Sequence, residues 1–346
     1  MRTDLAELVR DRVDEMTVPP ADLALVERDG RRIRRRRRGA AAAGAALVVV
    51  ATAALWTGTD DDRGSDRGIE PIGPMDFSKG LRAYADPSYE IHLGDRTFPA
   101  DRLANLDTDA AATPYGVVFY DHGMPRLLAE TGEVTALEPT AARGRFVPTA
   151  QADSTRPWVA YGATIDGAPT LVVHDVESGD AVGTLEVDDD TVIDAIDGGV
   201  VFLRTAGGTR AWWPDEDVTL DVAGPRTRVA DVRNGVLLYD GPRPDGPAAS
   251  DLRLVPGAID AQLTYDGGHV LSWSSTLAST DGSAPIVLDQ KATFYAVDTD
   301  GSILAAAPAK GGGSTVYDCA IPSGACEEIG SLTGRGGDPM FIGVDM

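Results

Sequence analysis

Asp197-Gly-Gly-Val-Val-Phe202 is the clearest copy of a short phrase on which the fold prediction for this chain depends. An acidic residue or asparagine precedes glycine, and a run of apolar residues follows, as expected for a tight turn that leads into a buried strand. Further copies are Asn234-Gly-Val-Leu-Leu-Tyr239, Asp266-Gly-Gly-His-Val-Leu271 and Asp300-Gly-Ser-Ile-Leu-Ala305, with looser ones at Tyr115-Gly-Val-Val-Phe-Tyr120 and Arg156-Pro-Trp-Val-Ala-Tyr161. The phrase therefore predicts a repeated strand–turn–strand unit.

The spacing of the phrase predicts the architecture. Its second residues fall at positions 116, 157, 198, 235, 267 and 301, so the copies are separated by 41, 41, 37, 32 and 34 residues. A period of this length with about four short strands per unit is typical of β-propeller blades. Six marked units and a first unit from near residue 84 predict an all-β propeller of about seven blades. A pair of β-sandwiches is the competing architecture, but it gives no reason for the repeat.

Two further features support the propeller. The final run, Met340-Phe-Ile-Gly-Val344, is expected to pair with strands of the first blade and close the ring, which would protect edge strands. Leu171-Val-Val-His-Asp175 and Thr315-Val-Tyr-Asp318 are each followed by a Ser-Gly turn and another strand, as in the central hairpin of a blade. In the second of these hairpins, Cys319 falls opposite Cys326, so the two cysteines are predicted to form a structural disulfide.

The amino-terminal region has a different charge pattern. Residues 1–38 carry 11 arginines and 8 acidic residues and are predicted to form a basic cytoplasmic head. Residues 39–58 carry no charge, and 20 residues in a helix reach roughly 30 Å, the thickness of a bilayer core. The arginines that border this segment are Arg31, Arg32, Arg34, Arg35, Arg36, Arg37 and Arg38. The segment is therefore predicted to be a transmembrane helix.

The flanking charges predict the orientation. Under the positive-inside rule, the arginine cluster stays in the cytoplasm, where it contacts the cytoplasmic membrane surface, and the acidic body is exported. Residues 59–83, rich in Asp, Gly and Pro, then form a polar linker, and residues 84–346 form the propeller. Two alternatives are a signal peptide cleaved near Ala53, which would make the body secreted, and a buried helix of a soluble protein. The head is interpreted mainly as a topology signal, with docking of a cytoplasmic partner as the alternative.

The composition excludes some functions and the motifs predict no catalytic one. A formal charge of −23 disfavours nucleic-acid binding, because phosphates would be repelled over most of the surface. The four histidines (His92, His122, His174 and His269) are scattered, and neither a nucleophile elbow nor a phosphate-binding loop is present. The acidic run Asp188-Asp-Asp190, followed by Asp194 and Asp197, is interpreted as a solvated turn rather than a calcium site. No catalytic residue, metal site or cofactor is predicted.

The repeated phrases and the Asp-x-x-Ser-Gly hairpins resemble the WD40-like and TolB-like propellers of the bacterial cell envelope. The layout of an Arg-ended head, one Ala/Val-rich span and an extracytoplasmic propeller resembles a group of actinobacterial single-pass membrane proteins. The use of only three lysines (Lys79, Lys291 and Lys310) is typical of a high-GC genome. The resemblance implies a non-catalytic binding or scaffold module for an envelope protein, peptide or glycan. An extracytoplasmic enzyme, a lyase or hydrolase with its site at the channel mouth, is the alternative.

Overall fold

The computed structural model describes residues 80–86, 90–99, 110–113, 115–121, 124–129, 131–137, 150–333 and 339–342. The predicted head, its arginine cluster (Arg31–Arg38) and the apolar segment 39–58 lie outside these residues, as does nearly all of the linker. Within the described ranges, no helix is long and apolar enough to cross a membrane.

The described residues form seven small sheets, which confirms the all-β, seven-bladed propeller. Blades 1 to 3 contain β1 (Tyr84–Ala85), β2 (Glu90–Leu93), β3 (Arg96–Pro99), β4 (Ala111–Thr113), β5 (Gly116–Asp121), β6 (Met124–Leu128), β7 (Val134–Ala136), β8 (Gln151–Ala152), β9 (Trp158–Ile165), β10 (Ala168–Asp175) and β11 (Asp180–Glu186). Blades 4 and 5 contain β12 (Val192–Asp197), β13 (Val200–Thr205), β14 (Gly208–Trp213), β15 (Val218–Ala223), β16 (Arg228–Arg233), β17 (Val236–Asp240) and β18 (Arg253–Pro256). Blades 6 and 7 and the closing strand contain β19 (Gln262–Leu263), β20 (His269–Leu271), β21 (Thr276–Ser279), β22 (Ile286–Val287), β23 (Phe294–Val297), β24 (Ile303–Pro308), β25 (Gly313–Cys319), β26 (Cys326–Thr333) and β27 (Met340–Phe341).

Each copy of the sequence phrase marks the turn between the first and second strands of a blade. Gly198, for example, lies between β12 and β13, and Gly301 lies between β23 and β24. The backbone at both glycines has a positive φ, 60° and 85°, which glycine adopts without steric cost. The period of the phrase therefore reports the blade repeat directly.

The ring is closed by the end of the chain, as the sequence predicts. β27 pairs antiparallel with β1, so that Tyr84 lies opposite Phe341 and Ala85 lies opposite Met340. The first blade has the strand order β27-β1-β2-β3, and β27 thus takes the innermost position that the first strand occupies in the other blades. One blade is built from both ends of the described chain.

The core lies between the blades. The buried apolar residues of the described chain fall into seven clusters, one for each pair of neighbouring blades. Trp212 is fully buried between blades 3 and 4, whereas Trp213 on the other face of β14 is half-buried between blades 4 and 5. Leu81 and Ala83, which precede β1, are also buried, in the cluster between blades 1 and 2. Burial of both faces of each sheet explains why the strands read as near-continuous apolar runs.

Blade 5 differs from the expected four-stranded unit. It has three strands, and β18 runs parallel to β17, with Val236 aligned to Arg253. Between these strands the chain makes an excursion with a short 3-10 helix (Pro247–Ala249), and Gly246 donates its N–H to the carbonyl of Val222 in blade 4. A parallel neighbour requires such a crossover connection, because a tight hairpin can only join antiparallel strands.

Candidate functional site

The innermost strands of the blades surround a central channel with a volume of about 110 Å³. Residues from all seven blades line it: six blades present their first strand to the axis, and blade 1 presents β27 and the adjoining Ile342. The polar lining residues are Gln151, Asp194, Asp231, Arg233, Asp260, Gln262 and Tyr265. The channel is therefore narrow and mainly acidic.

Arg233 is the cationic group of the channel, and its side chain is held by several contacts. Its Nε lies 3.3 Å from Oδ1 of Asp231, and one terminal nitrogen donates to the carbonyl of Ala152 at 3.1 Å. Its guanidinium carbon also lies 5.0 Å from the ring centroid of Tyr265, within cation–π range. These contacts fix Arg233 in a structural role between blades 3, 5 and 6.

Apart from the aspartates, Tyr265 is the titratable group that lines the channel beside Arg233. Burial raises the pKa of its phenol, although the positive charge of Arg233 opposes this rise. A tyrosine that acts as a general base at neutral pH needs the opposite shift. The described lining residues include no histidine, since His174 is buried on β10 and His269 lies on β20. Among the described lining residues, neither Tyr265 nor a histidine therefore provides a general base at neutral pH.

A larger cavity lies on one face of the ring. We call this face the turn face, because it carries the turns between the first and second strands of the blades. The cavity, the turn-face groove, has a volume of about 690 Å³ and extends across blades 6, 7 and 1. It is lined by Arg82, Thr264, Tyr265, Asp266, Asp300, Gly301, Ser302, Asp318, Ala320, Ile321, Ala325, Cys326 and Glu327. Tyr265 lines both cavities, so the groove borders the channel.

Hydrogen bonds hold the acidic side chains of the turns in place. Asp266 accepts the hydroxyl of Thr264 and the N–H of Gly268, and Asp300 accepts the N–H of Ser302 at 2.9 Å. Although burial raises the pKa of Asp266, these two hydrogen bonds lower it below its usual value overall. Asp266 is therefore ionised at neutral pH, and it keeps the groove acidic.

Arg82 links blade 1 to blade 7 at the edge of the groove. Its Nε and one terminal nitrogen both donate to Oδ2 of Asp318, at 2.9 and 2.8 Å. Its backbone N–H donates to Oδ2 of Asp298 at 2.7 Å, and the N–H of Leu81 donates to Oδ1 at 3.2 Å. Gly80 allows this approach, because a Cβ at that position would collide with the Asp298 carboxylate. Arg82 is thus oriented through both its backbone and its side chain.

In the part of the chain that the structure describes, Asp298 is one of four aspartates that accept backbone N–H groups of the next blade. Asp153 accepts the N–H of Gly199, Asp197 accepts the N–H groups of Asn234 and Gly235, and Asp231 accepts the N–H of Leu263. The sequence reasoning missed this role. For three of them the signal was an apolar residue followed by aspartate at the end of an innermost strand: Ala152-Asp153, Ile196-Asp197 and Val297-Asp298.

The predicted disulfide is present and forms part of the groove wall. Cys319 and Cys326 are directly opposite in the β25–β26 register and are joined by a disulfide bond. Beyond it, Ala320 donates its N–H to Ala325, and Gly324 accepts the N–H of Asp289 in blade 6 at 2.9 Å. The hairpin tip is therefore attached to its own blade and to the preceding one, which makes this wall rigid.

The acidic run near Asp188 does not form a metal site. Asp188, Asp189 and Asp190 are exposed in a loop, while Asp194 accepts a hydrogen bond from Arg204 at 2.9 Å. Among the described residues, one group brings three potential metal ligands together: Asp86, Glu90 and His92 in blade 1. Oδ1 of this aspartate accepts the N–H of Glu90 at 2.9 Å, and its other oxygen lies 4.0 Å from Nε2 of His92.

Three comparisons with known proteins were informative to different degrees, and a solved structure is among the matches. No protein-family model matches the chain, and no curated protein matches it. A crystal structure of TolB from Acinetobacter baumannii is similar, with a TM-score of 0.36 and 10% sequence identity. The alignment covers 75% of this chain and 66% of that one, slightly less than two thirds of the TolB chain.

Proposed function

We propose that this chain is a membrane-anchored, extracytoplasmic β-propeller that binds an envelope protein, peptide or glycan without catalysing a reaction. The arginine cluster Arg31–Arg38, the uncharged segment 39–58 and the acidic residues that follow support a single span with the head in the cytoplasm. This is the layout of the actinobacterial proteins that the sequence resembles. The propeller with its turn-face groove then lies on the extracytoplasmic side of the membrane.

The turn-face groove is the observation that carries the binding function. Its volume of about 690 Å³ is within the range of ligand pockets, and its walls are turns and a disulfide-bonded hairpin attached to the ring. A rigid, preformed site loses little conformational entropy when it binds a partner. Loops held by a rigid scaffold are also the usual location of binding residues.

An enzyme acting at the channel mouth is the second candidate. The proximity of Arg233 and Tyr265 favours it, since such a pair can stabilise an anion and transfer a proton. Two observations disfavour it: the guanidinium is already held by Asp231 and by the carbonyl of Ala152, and burial raises the pKa of the phenol. We therefore propose a binding function.

Topology is tested by labelling single cysteines in intact cells with a membrane-impermeant maleimide. We expect Ala181→Cys, on the exposed outer strand of blade 3, to react in intact cells, and Thr3→Cys to react only after permeabilisation. The wild-type chain is the control, because its two cysteines are joined in a disulfide and are not available to react. Protection of Ala181→Cys in intact cells would overturn the proposed orientation.

Binding is tested by selecting peptides from a random dodecapeptide library on the purified full-length chain and by titrating soluble peptidoglycan fragments. We expect selected ligands to lose at least tenfold in affinity when Ala325→Trp fills the exposed wall of the groove. The matched control, Ala181→Trp, places the same side chain on blade 3 and should bind as wild type. Failure to bind either ligand class, or turnover of a ligand, contradicts the proposal.

A further inference from the structure

Two buried polar atoms in the turn-face groove have no hydrogen-bond partner. The side chain of Asp318 is 10% exposed, and its Oδ1 is buried without a partner, while Oδ2 holds Arg82. Ser302 is 8% exposed, and its Oγ also has no partner. Both residues line the groove. Because burying an unsatisfied polar group is costly, such atoms in a native protein call for an explanation.

The chemistry of these atoms specifies what would satisfy them. An ionised carboxylate only accepts hydrogen bonds, and a serine hydroxyl can accept as well as donate. In the β24–β25 register Leu304 is aligned to Asp318, so Ser302, two residues earlier, is a diagonal neighbour of Asp318. A group that carries several N–H donors can therefore bond acceptors on both residues. A lysine ammonium has three such donors and an arginine guanidinium has five.

The charge of the groove specifies the sign of the ligand. Four carboxylates line it (Asp266, Asp300, Asp318 and Glu327), against one guanidinium, that of Arg82. The net charge of the lining is therefore negative. Because the site is concave, the electrostatic field of its carboxylates is concentrated there. A cation is thus favoured over a neutral donor such as a sugar hydroxyl.

A metal ion fits the groove less well than an organic cation. No three carboxylate oxygens converge there as ligands, since the one converging group among the described residues is Asp86, Glu90 and His92 in blade 1. A lysine or arginine side chain needs hydrogen-bond acceptors rather than a full coordination shell, and Oδ1 of Asp318 and Oγ of Ser302 are such acceptors.

We propose that the turn-face groove binds a lysine or arginine side chain of a peptide or protein partner, with Oδ1 of Asp318 and Oγ of Ser302 as the acceptors. This inference rests on the proposed binding function and makes it more specific. The ion pair with Arg82 holds Asp318 in position, and the hydrogen bond between the backbone N–H of Ser302 and Asp300 positions the serine.

The test titrates the purified full-length chain with small probes, observed by saturation-transfer NMR. We expect acetyl-Gly-Lys-Gly-amide and its arginine analogue to bind with millimolar dissociation constants, and the Nε-acetyl-lysine and glutamate analogues not to bind. A spermidine titration separates a peptide ligand from a free polyamine. Spermidine that binds at least tenfold more tightly than the peptides would overturn the peptide assignment.

Two variants locate the site. Asp318→Asn should weaken the lysine peptide at least tenfold, whereas Asp189→Asn, the same charge change in an exposed loop, should have no effect. Ser302→Ala should weaken binding two- to fivefold without lowering Tm, because its hydroxyl makes no contact that supports the fold. This second variant keeps the test valid if loss of the Arg82 ion pair unfolds Asp318→Asn.

The outcomes separate the two proposals. If the lysine peptide binds but neither Asp318→Asn nor Ser302→Ala weakens it, the groove assignment is wrong and the general binding function stands. If Lys79→Gln, next to Gly80 in the chain, tightens peptide binding, the chain's own lysine competes for the site and the partner assignment is overturned. If the dodecapeptide selection and the peptidoglycan titration also give no ligand, the proposed function itself fails.

Discussion

Phe341→Ala is expected to lower the free energy of unfolding by about 3–5 kcal/mol, the usual cost of removing a buried phenylalanine side chain. Phe341 is 4% exposed and packs with Tyr84, Val316 and Leu332 in the cluster between blades 7 and 1. It lies on β27, a strand of two residues, so few other contacts compensate for its loss. Equilibrium unfolding in urea measures the effect.

Phe98→Ala is the matched control, because it makes the same substitution at the outer end of the same blade. Phe98 is half-buried on β3 and only partly packed against the core, so we expect the loss to be less than half as large. Equal losses for the two variants would show that ring closure does not depend on β27.

The contribution of Asp298 to the stability of the ring is expected to fall as the pH rises from 4 to 7. Burial raises the pKa of Asp298 to about 6, helped by Asp300 and opposed by the N–H groups of Arg82 and Thr299. In the unfolded chain the pKa of an aspartate is about 3.9. Between about pH 3.9 and pH 6 the folded state therefore binds more protons than the unfolded state. The contribution of Asp298 is thus complete below pH 4 and is lost as the pH rises through 6, on the order of 3 kcal/mol in all.

Asp298→Asn provides the comparison, since asparagine has nearly the same shape and does not titrate. We expect the difference in unfolding free energy between wild type and variant to change by on the order of 3 kcal/mol between pH 4 and pH 7. The other acidic groups are common to both proteins, so their effects cancel in the difference. A difference that stays constant with pH would show that Asp298 does not titrate in this range.

The repeat made most of the fold predictable from the sequence. In five of the six marked turns the second residue is a glycine at positive φ (Gly116, Gly198, Gly235, Gly267 and Gly301), so phrases that contain glycine recur at the blade spacing. The Cys319–Cys326 pairing was also predictable, because the register of a short hairpin is fixed by its turn. The closing strand could be recognised as the last apolar run, which needs a partner in the first blade.

The site was less predictable, because its residues come together only through the ring. Ser302 and Asp318 lie in blade 7, but Arg82 is 236 residues from Asp318 in the sequence, and no local pattern relates the three. Asp298 reads locally as part of an Asp-x-Asp-Gly turn, and only the packed ring shows that it accepts N–H groups from blade 1. The assignments made for the residues before 80, including the membrane span, stay predictions.

Blade 5 also shows which strand direction must be kept when a blade of a propeller has one strand more or one strand fewer. A blade must return the chain to the side of the ring where the next innermost strand begins, which an even number of alternating strands does automatically. With three strands, blade 5 achieves the same return because β18 repeats the direction of β17. The last strand of a blade must therefore run opposite to the first, whatever the number of strands. A blade can lack one strand if a crossover, here residues 241–252, makes its last strand run in that direction.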